Sequence, residues 1–110
     1  MAKQYFNPKE KVVSKYGSKR VVEDGINFHS IKERNFYLRL KLEQKEGELK
    51  FFLLQVPFLL PGGVRYLLDF LVVRVDGSIE YIDVKGFMTP ISKLKIKQVE
   101  ALYGIPIKIV

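Results

Sequence analysis

Cysteine is absent from the 110-residue chain. That excludes a disulfide framework and a thiolate zinc site, and it makes an intracellular setting the expectation, in the cytoplasm. Long apolar runs are absent too. Nothing approaches the roughly 18 residues that span a bilayer, so no membrane partner is expected. The opening MAKQYFNPKEKVVSKYGSKR lacks the apolar centre of a signal peptide. There is no internal repeat and no low-complexity segment. Acidic residues are outnumbered, 12 against 19 lysines and arginines, for a formal charge of +7. Charge alone suggests an anionic partner and ranks nucleic acid ahead of an anionic membrane surface; nucleic acid is the one expected.

With 47% apolar and 28% charged residues, the chain has the composition of a globular domain, and its length suits one domain with a real core. Residues 1–20 carry Lys3, Lys9, Lys11, Lys15, Lys19 and Arg20 among few apolar residues, which predicts a basic, loosely held arm. Residues 21–110 read as a single domain. Asp24-Gly25 marks a hairpin. Ser30-x-x-Glu33 fits a capping box, and Phe36, Tyr37, Leu40 and Gln44 continue one helical face until Gly47 stops it. ELKFFLLQVPFLL, residues 48–60, reads as a strand bent or bulged near Pro57. After a PGG loop come strands 64–75 and 78–85. Thr89-Pro90 opens a second helix that runs to Gly104, with Ile91, Leu94, Val99 and Leu102 expected inward. IPIKIV closes the chain as a strand. The order is hairpin, helix, three strands, helix, strand.

The most apolar segment, RYLLDFLVVRVDGSIEYIDVKG, contains Asp69, Asp83 and Lys85. A two-residue Asp76-Gly77 turn would put the two aspartates on opposite faces. A three-residue loop, 75–77, pairs Asp69 with Asp83 and sets Lys85 on the same face. Gly77 at the left-handed position of that loop favours the second register. Two carboxylates about 4 Å apart repel by roughly 4 kcal/mol at an effective dielectric of 20. Lys85 offsets only one of them. Glu33, on the apolar side of its helix, would add a third negative charge if that face packs on the sheet. A divalent cation such as Mg²⁺ or Mn²⁺ is the natural complement to such an oxygen set. Each residue also has a plainer account: Glu33 closing its cap, Asp69 paired with Arg65 or Lys85, and Asp83-x-Lys85 as a chance triplet.

Asp69 followed by Asp83-Val84-Lys85, with a helical Glu33 upstream, resembles the PD-(D/E)xK nuclease superfamily, whose core has the order αβββαβ. More narrowly, EDGINFHSIKER, YLLDF, DVKGFMT and LKIKQVEALYGIPI look like a family of small phage proteins grouped with endonuclease I, a Holliday-junction resolvase. Leu68 stands where that superfamily often has proline. The resemblance implies an α/β fold with a mixed sheet flanked by two helices. It implies that Asp69, Asp83 and the Val84 carbonyl hold Mg²⁺ or Mn²⁺, that Glu33 serves a second metal or a metal-bound water, and that Lys85 orients water or stabilises charge on the phosphate. Gln55 is a further candidate for the same site. His29 is either a base, a phosphate contact or a plain surface residue. Lys93, Lys95 and Lys97 are candidate phosphate contacts beside a solvated-face alternative, and Lys19 and Arg20 of the arm are others.

The expected function is thus a metal-dependent endonuclease on branched DNA, working as a homodimer because a junction has near two-fold symmetry. The alternative is a non-catalytic nucleic-acid-binding module with structural ion pairs. Against it, acids gathered at a face that meets phosphates would repel DNA without a metal. A nuclease for ordinary duplex is a third, weaker reading, since little chain remains for a sequence-reading element.

Overall fold

The computed structural model describes residues 21–110. The expected arm, with Lys19 and Arg20, lies outside the described residues. The chain is mixed α+β: β1 (Val21–Glu23), β2 (Ile26–Phe28), α1 (Ile31–Lys45), β3 (Leu49–Leu60), a 3-10 turn (Pro61–Gly63), β4 (Val64–Arg74), β5 (Ile79–Asp83), α2 (Pro90–Tyr103) and β6 (Ile107–Ile109). This is the expected element order. Among the described residues the chain divides within α1 into two compact units, one running up to Lys41 and the other Leu42–Val110.

In the first unit, β1 and β2 form an antiparallel hairpin. Asp24 and Gly25 turn it with positive φ at both positions, 54° and 76°, which matches the right-handed twist of the strands. The Asp24 carboxylate accepts from Lys41 Nζ at 2.6 Å and from the Tyr37 hydroxyl at 2.7 Å. These two donors hold its carboxyl below the usual aspartate range. Phe28 packs on Tyr37 with ring centroids 5.0 Å apart. The inner face of α1 in this unit is Glu33, Tyr37 and Leu40. Phe36, expected on that face, is only half-buried.

In the second unit, a four-stranded mixed sheet has the order β3-β4-β5-β6, antiparallel except for the parallel β5–β6 pair. The β4–β5 pairing runs from Phe70↔Ile82 to Val73↔Ile79. That is the register of a three-residue loop. Gly77 supplies its left-handed residue, φ 91°, and the Arg74 N–H donates to the Ser78 carbonyl at 2.8 Å. Asp76 Oδ1 locks the loop by accepting from the Ser78 N–H at 2.9 Å and from its hydroxyl at 2.6 Å. Gln44, expected on the inner face of α1, has its amide turned to the Lys50 carbonyl, to which it donates at 3.1 Å.

One local expectation holds and one is corrected. The irregularity expected near Pro57 falls two residues before it, at Gln55, where φ is 51°. Pro57 itself stays in register opposite Leu67, because β3 is an edge strand among the described residues and tolerates a missing N–H that would face away from the ladder. A second irregularity lies between Leu49 and Phe51. On α2, Ile96 and Val99 are the buried residues, packed with Leu60, Tyr66, Leu68 and Ile107. Ile91, Leu94 and Leu102 face solvent. Tyr103, though partly exposed, turns back on β3, its ring 5.0 Å from that of Phe58. Thr89 caps the helix by accepting from the Ser92 N–H at 3.0 Å, and the Tyr103 hydroxyl donates to the Leu59 carbonyl at 2.6 Å. The two faces separate on substitution. Ile96→Ala is expected to cost about 2–5 kcal/mol in urea unfolding. Leu94→Ala is expected to stay within about 0.5 kcal/mol, and equal losses would contradict this orientation of α2.

Candidate functional site

The site forms where the sheet changes phase. Leu54↔Phe70 and Val56↔Leu68 bracket Gln55 and Asp69 and set them opposite each other. One rung beyond Phe70↔Ile82, the same register sets Asp69 opposite Asp83. By that count Gln55, Asp69 and Asp83 stand level on three adjacent strands, just where the β3–β4 ladder skips a pair and the β4–β5 ladder ends. Tyr66 and Leu68 belong to the core cluster under α2. On the far side of Asp69, Leu71 packs against that cluster, whereas Phe70 and Val72 are buried outside it. The alternation of β4 thus slips by one residue at Asp69, opposite the left-handed Gln55. Tyr81 joins the α2 cluster, so Asp83, two residues on, lies on the same face.

Asp83 is only 1% exposed. The Tyr66 hydroxyl donates to its Oδ2, and Lys85 Nζ lies 3.7 Å from its Oδ1. Asp69 Oδ2 accepts from the Val84 N–H at 2.8 Å. Strand β6 and the residue after it hold the intervening backbone: the Val110 N–H donates to the Asp83 carbonyl at 3.0 Å and the Lys85 N–H to the Val110 carbonyl at 3.1 Å. Burial, the bond to Asp83 and the charges of Asp83, Asp69 and Glu100 push the Tyr66 hydroxyl well above the usual tyrosine range. Glu100 is itself engaged, its Oε2 accepting from the Ile107 N–H at 2.8 Å. Tyr66 therefore stands among three carboxylates and donates to the most buried of them.

The other expected residues fall as follows. Glu33, in the first unit, is buried and closes the cap: its N–H donates to Ser30 Oγ at 3.0 Å and its Oε1 accepts from the His29 N–H at 2.9 Å. The His29 ring is 69% exposed, with Nδ1 3.8 Å from Glu33 Oε1. Lys93 and Lys97 are exposed on α2, and Lys95 is half-buried. Among the described residues no group of three or more His, Cys, Asp or Glu side chains is gathered as a metal centre. The donors on the sheet nevertheless suit a hard cation in kind: two carboxylates on facing residues and the neighbouring Val84 carbonyl. Each carboxylate oxygen has two lone pairs, so the bonds from Tyr66 and Val84 leave acceptor capacity.

Tyr66 and Glu100 escape a reading of the sequence. Tyr66 looks like one more apolar residue of a core strand, and only the rule that a buried tyrosine hydroxyl needs a partner marks it. Residues 13–105 match the family described as a protein of unknown function (DUF1064), and the chain belongs to that family. No curated protein and no solved structure matches. No helix among the described residues is long and apolar enough to cross a membrane.

Two substitutions should move stability in opposite directions. Gln55→Asn keeps a side-chain amide on a residue type that tolerates the left-handed region better and is expected to raise stability by about 0.5 kcal/mol. Tyr66→Phe deprives a buried carboxylate of its hydroxyl donor and is expected to cost about 1–3 kcal/mol. Urea denaturation of both variants checks the pair.

Proposed function

We propose that the chain is a metal-dependent DNA endonuclease that hydrolyses phosphodiester bonds in branched DNA, in the cytoplasm, as a pair of identical copies. The observation that carries the reading is the register: it sets Asp69 opposite Asp83, with Lys85 beside Asp83, on the sheet of a protein of formal charge +7. The pattern resembles that of the PD-(D/E)xK nucleases.

Asp69, Asp83 and the Val84 carbonyl would hold Mg²⁺ or Mn²⁺. When bound, such an ion lowers the pKa of coordinated water and screens the phosphate. The chain's own residues do the rest. Tyr66 fixes one oxygen of Asp83, so the carboxylate keeps a single orientation. The Val84 N–H does the same for Asp69. Lys85, drawn to Asp83, is placed to turn its ammonium toward the extra negative charge that builds on the phosphate during attack. Lys93, Lys95 and Lys97 on α2 add phosphate contacts, and these make binding depend on salt.

One observation favours a second reading. Both aspartates already have partners within the protein, Tyr66 and Lys85 for Asp83 and the Val84 N–H for Asp69. Such satisfied acids suit a non-catalytic nucleic-acid-binding module. Cleavage of a labelled four-way junction and of a linear duplex in Mg²⁺, in Mn²⁺ and in EDTA separates the two. The expected result is paired, metal-dependent nicks near the branch, abolished in Asp83→Ala and reduced about 10²–10³-fold in Lys85→Ala. Binding without cutting under every condition would establish the module. Equal cutting of both substrates would keep the nuclease and remove its preference for branches.

A further inference from the structure

From Val84 to Val99 the chain carries Lys85, Lys93, Lys95 and Lys97 and no acidic residue. In the same segment three large apolar side chains face solvent: Phe87 at 78%, Ile91 at 68% and Leu94 at 58% exposure. Single exposed apolar residues are ordinary on a protein surface. Here three of them fall in the one segment that carries four lysines and no acid. Phe87 lies two residues past Lys85. Ile91 and Leu94 are spaced by three on α2 and so share a side of the helix. Lys93 and Lys97, spaced by four and both exposed, form a cationic row on the same helix. Phenylalanine has no polar atom to justify such exposure, and α2 buries its other side against the sheet through Ile96 and Val99.

The two chemistries together specify the ligand. A run of lysines with no acid among them asks for anions at close spacing. A bare aromatic ring asks for a flat apolar partner. A nucleic-acid strand offers both in alternation, a phosphate and then the π-face of a base. In an intact duplex those faces are stacked on each other and only base edges are presented. An anionic bilayer offers charge and apolar depth, but α2 presents only a short apolar strip and is anchored to the sheet by its opposite side. We infer that Phe87, with Ile91 and Leu94, is a stacking surface for unpaired nucleobases, and that Lys93 and Lys97 hold the phosphates on either side. The inference deepens the nuclease reading and rests on it for the identity of the polymer. It makes unpaired bases at a branch or a single-strand junction, rather than duplex sequence, the feature recognised next to Lys85.

The chain has no tryptophan, so Phe87→Trp introduces a single fluorescent reporter at the surface in question. It is titrated in EDTA with short oligothymidylate, with a linear duplex of equal charge, and with phosphatidylglycerol vesicles. Strong quenching by oligothymidylate and little by duplex is expected. Phe87→Ala should weaken binding of the single strand about tenfold and that of the duplex less than about twofold, with the salt dependence unchanged because the lysines set it. Phe87→Tyr should bind as the parent does. Circular dichroism verifies that the variants are folded. No quenching by single strands, an equal loss on both DNAs, or a blue shift on vesicles with none of the DNA response would overturn the assignment. No step of this assay requires cleavage. If the protein fails to cut the junction in Mg²⁺ yet the indole of the Phe87→Trp variant is quenched here, the nuclease reading falls and the base-stacking surface stands.

Discussion

A carboxylate removed from water must be answered, and the answer to Asp83 organises the second unit. An uncompensated buried charge costs several kcal/mol. Asp83 is answered by the Tyr66 hydroxyl and by Lys85. For Tyr66 to reach it, residues 66 and 83 must lie on one face of the sheet. They do so only because the alternation of β4 slips at Asp69, against the left-handed Gln55 of β3. The strained residue, the phase slip and the buried ion pair are one arrangement. Val110 completes it by pinning the backbone of residues 83–85.

That dependence explains which parts of the structure are legible in the sequence. The hairpin register is written locally: Gly77 can take the left-handed place in a three-residue loop, and the pairing of Asp69 with Asp83 follows by counting. The element order is legible because turns and caps punctuate it, Asp24-Gly25, Ser30, Thr89-Pro90 and Gly104. The inward face of α2 is not legible, since only Ile96 and Val99 are buried while Ile91, Leu94 and Leu102, equally apolar, are exposed. Nor is the role of Tyr66, which depends on a change of phase. Nothing in a string of residues announces that a strand reverses its faces opposite a glutamine. Pro57 marks the neighbourhood of the irregularity and not its residue. It keeps its place in the ladder, and Gln55, two residues earlier, takes the left-handed φ.

Asp83 and Asp69 are each held by a donor from their own chain before any ligand arrives. Tyr66 takes one oxygen of Asp83, and the Val84 N–H takes one of Asp69. Such a site is stable without cargo and still keeps lone pairs for a cation. In the nuclease reading, the lysine that offsets Asp83 is also the one that turns toward a phosphate. Charge compensation in the resting protein and charge stabilisation during hydrolysis then draw on the same side chain.

The outer edge of the sheet carries a different consequence. Strand β3 spans Leu49–Leu60 with no neighbour on one side among the described residues, and Phe51, Leu53 and Leu59 are exposed along it. A long apolar edge of this kind is a template for uncontrolled pairing between chains. Gln55 turns the backbone out of line near its middle, and Pro57 deletes a donor two residues later. The edge is thereby cut into two shorter runs of hydrogen-bonding groups, neither of which offers an incoming strand the full length of β3. The kink that lets Tyr66 meet Asp83 therefore also guards the rim of the sheet against fibril-like stacking.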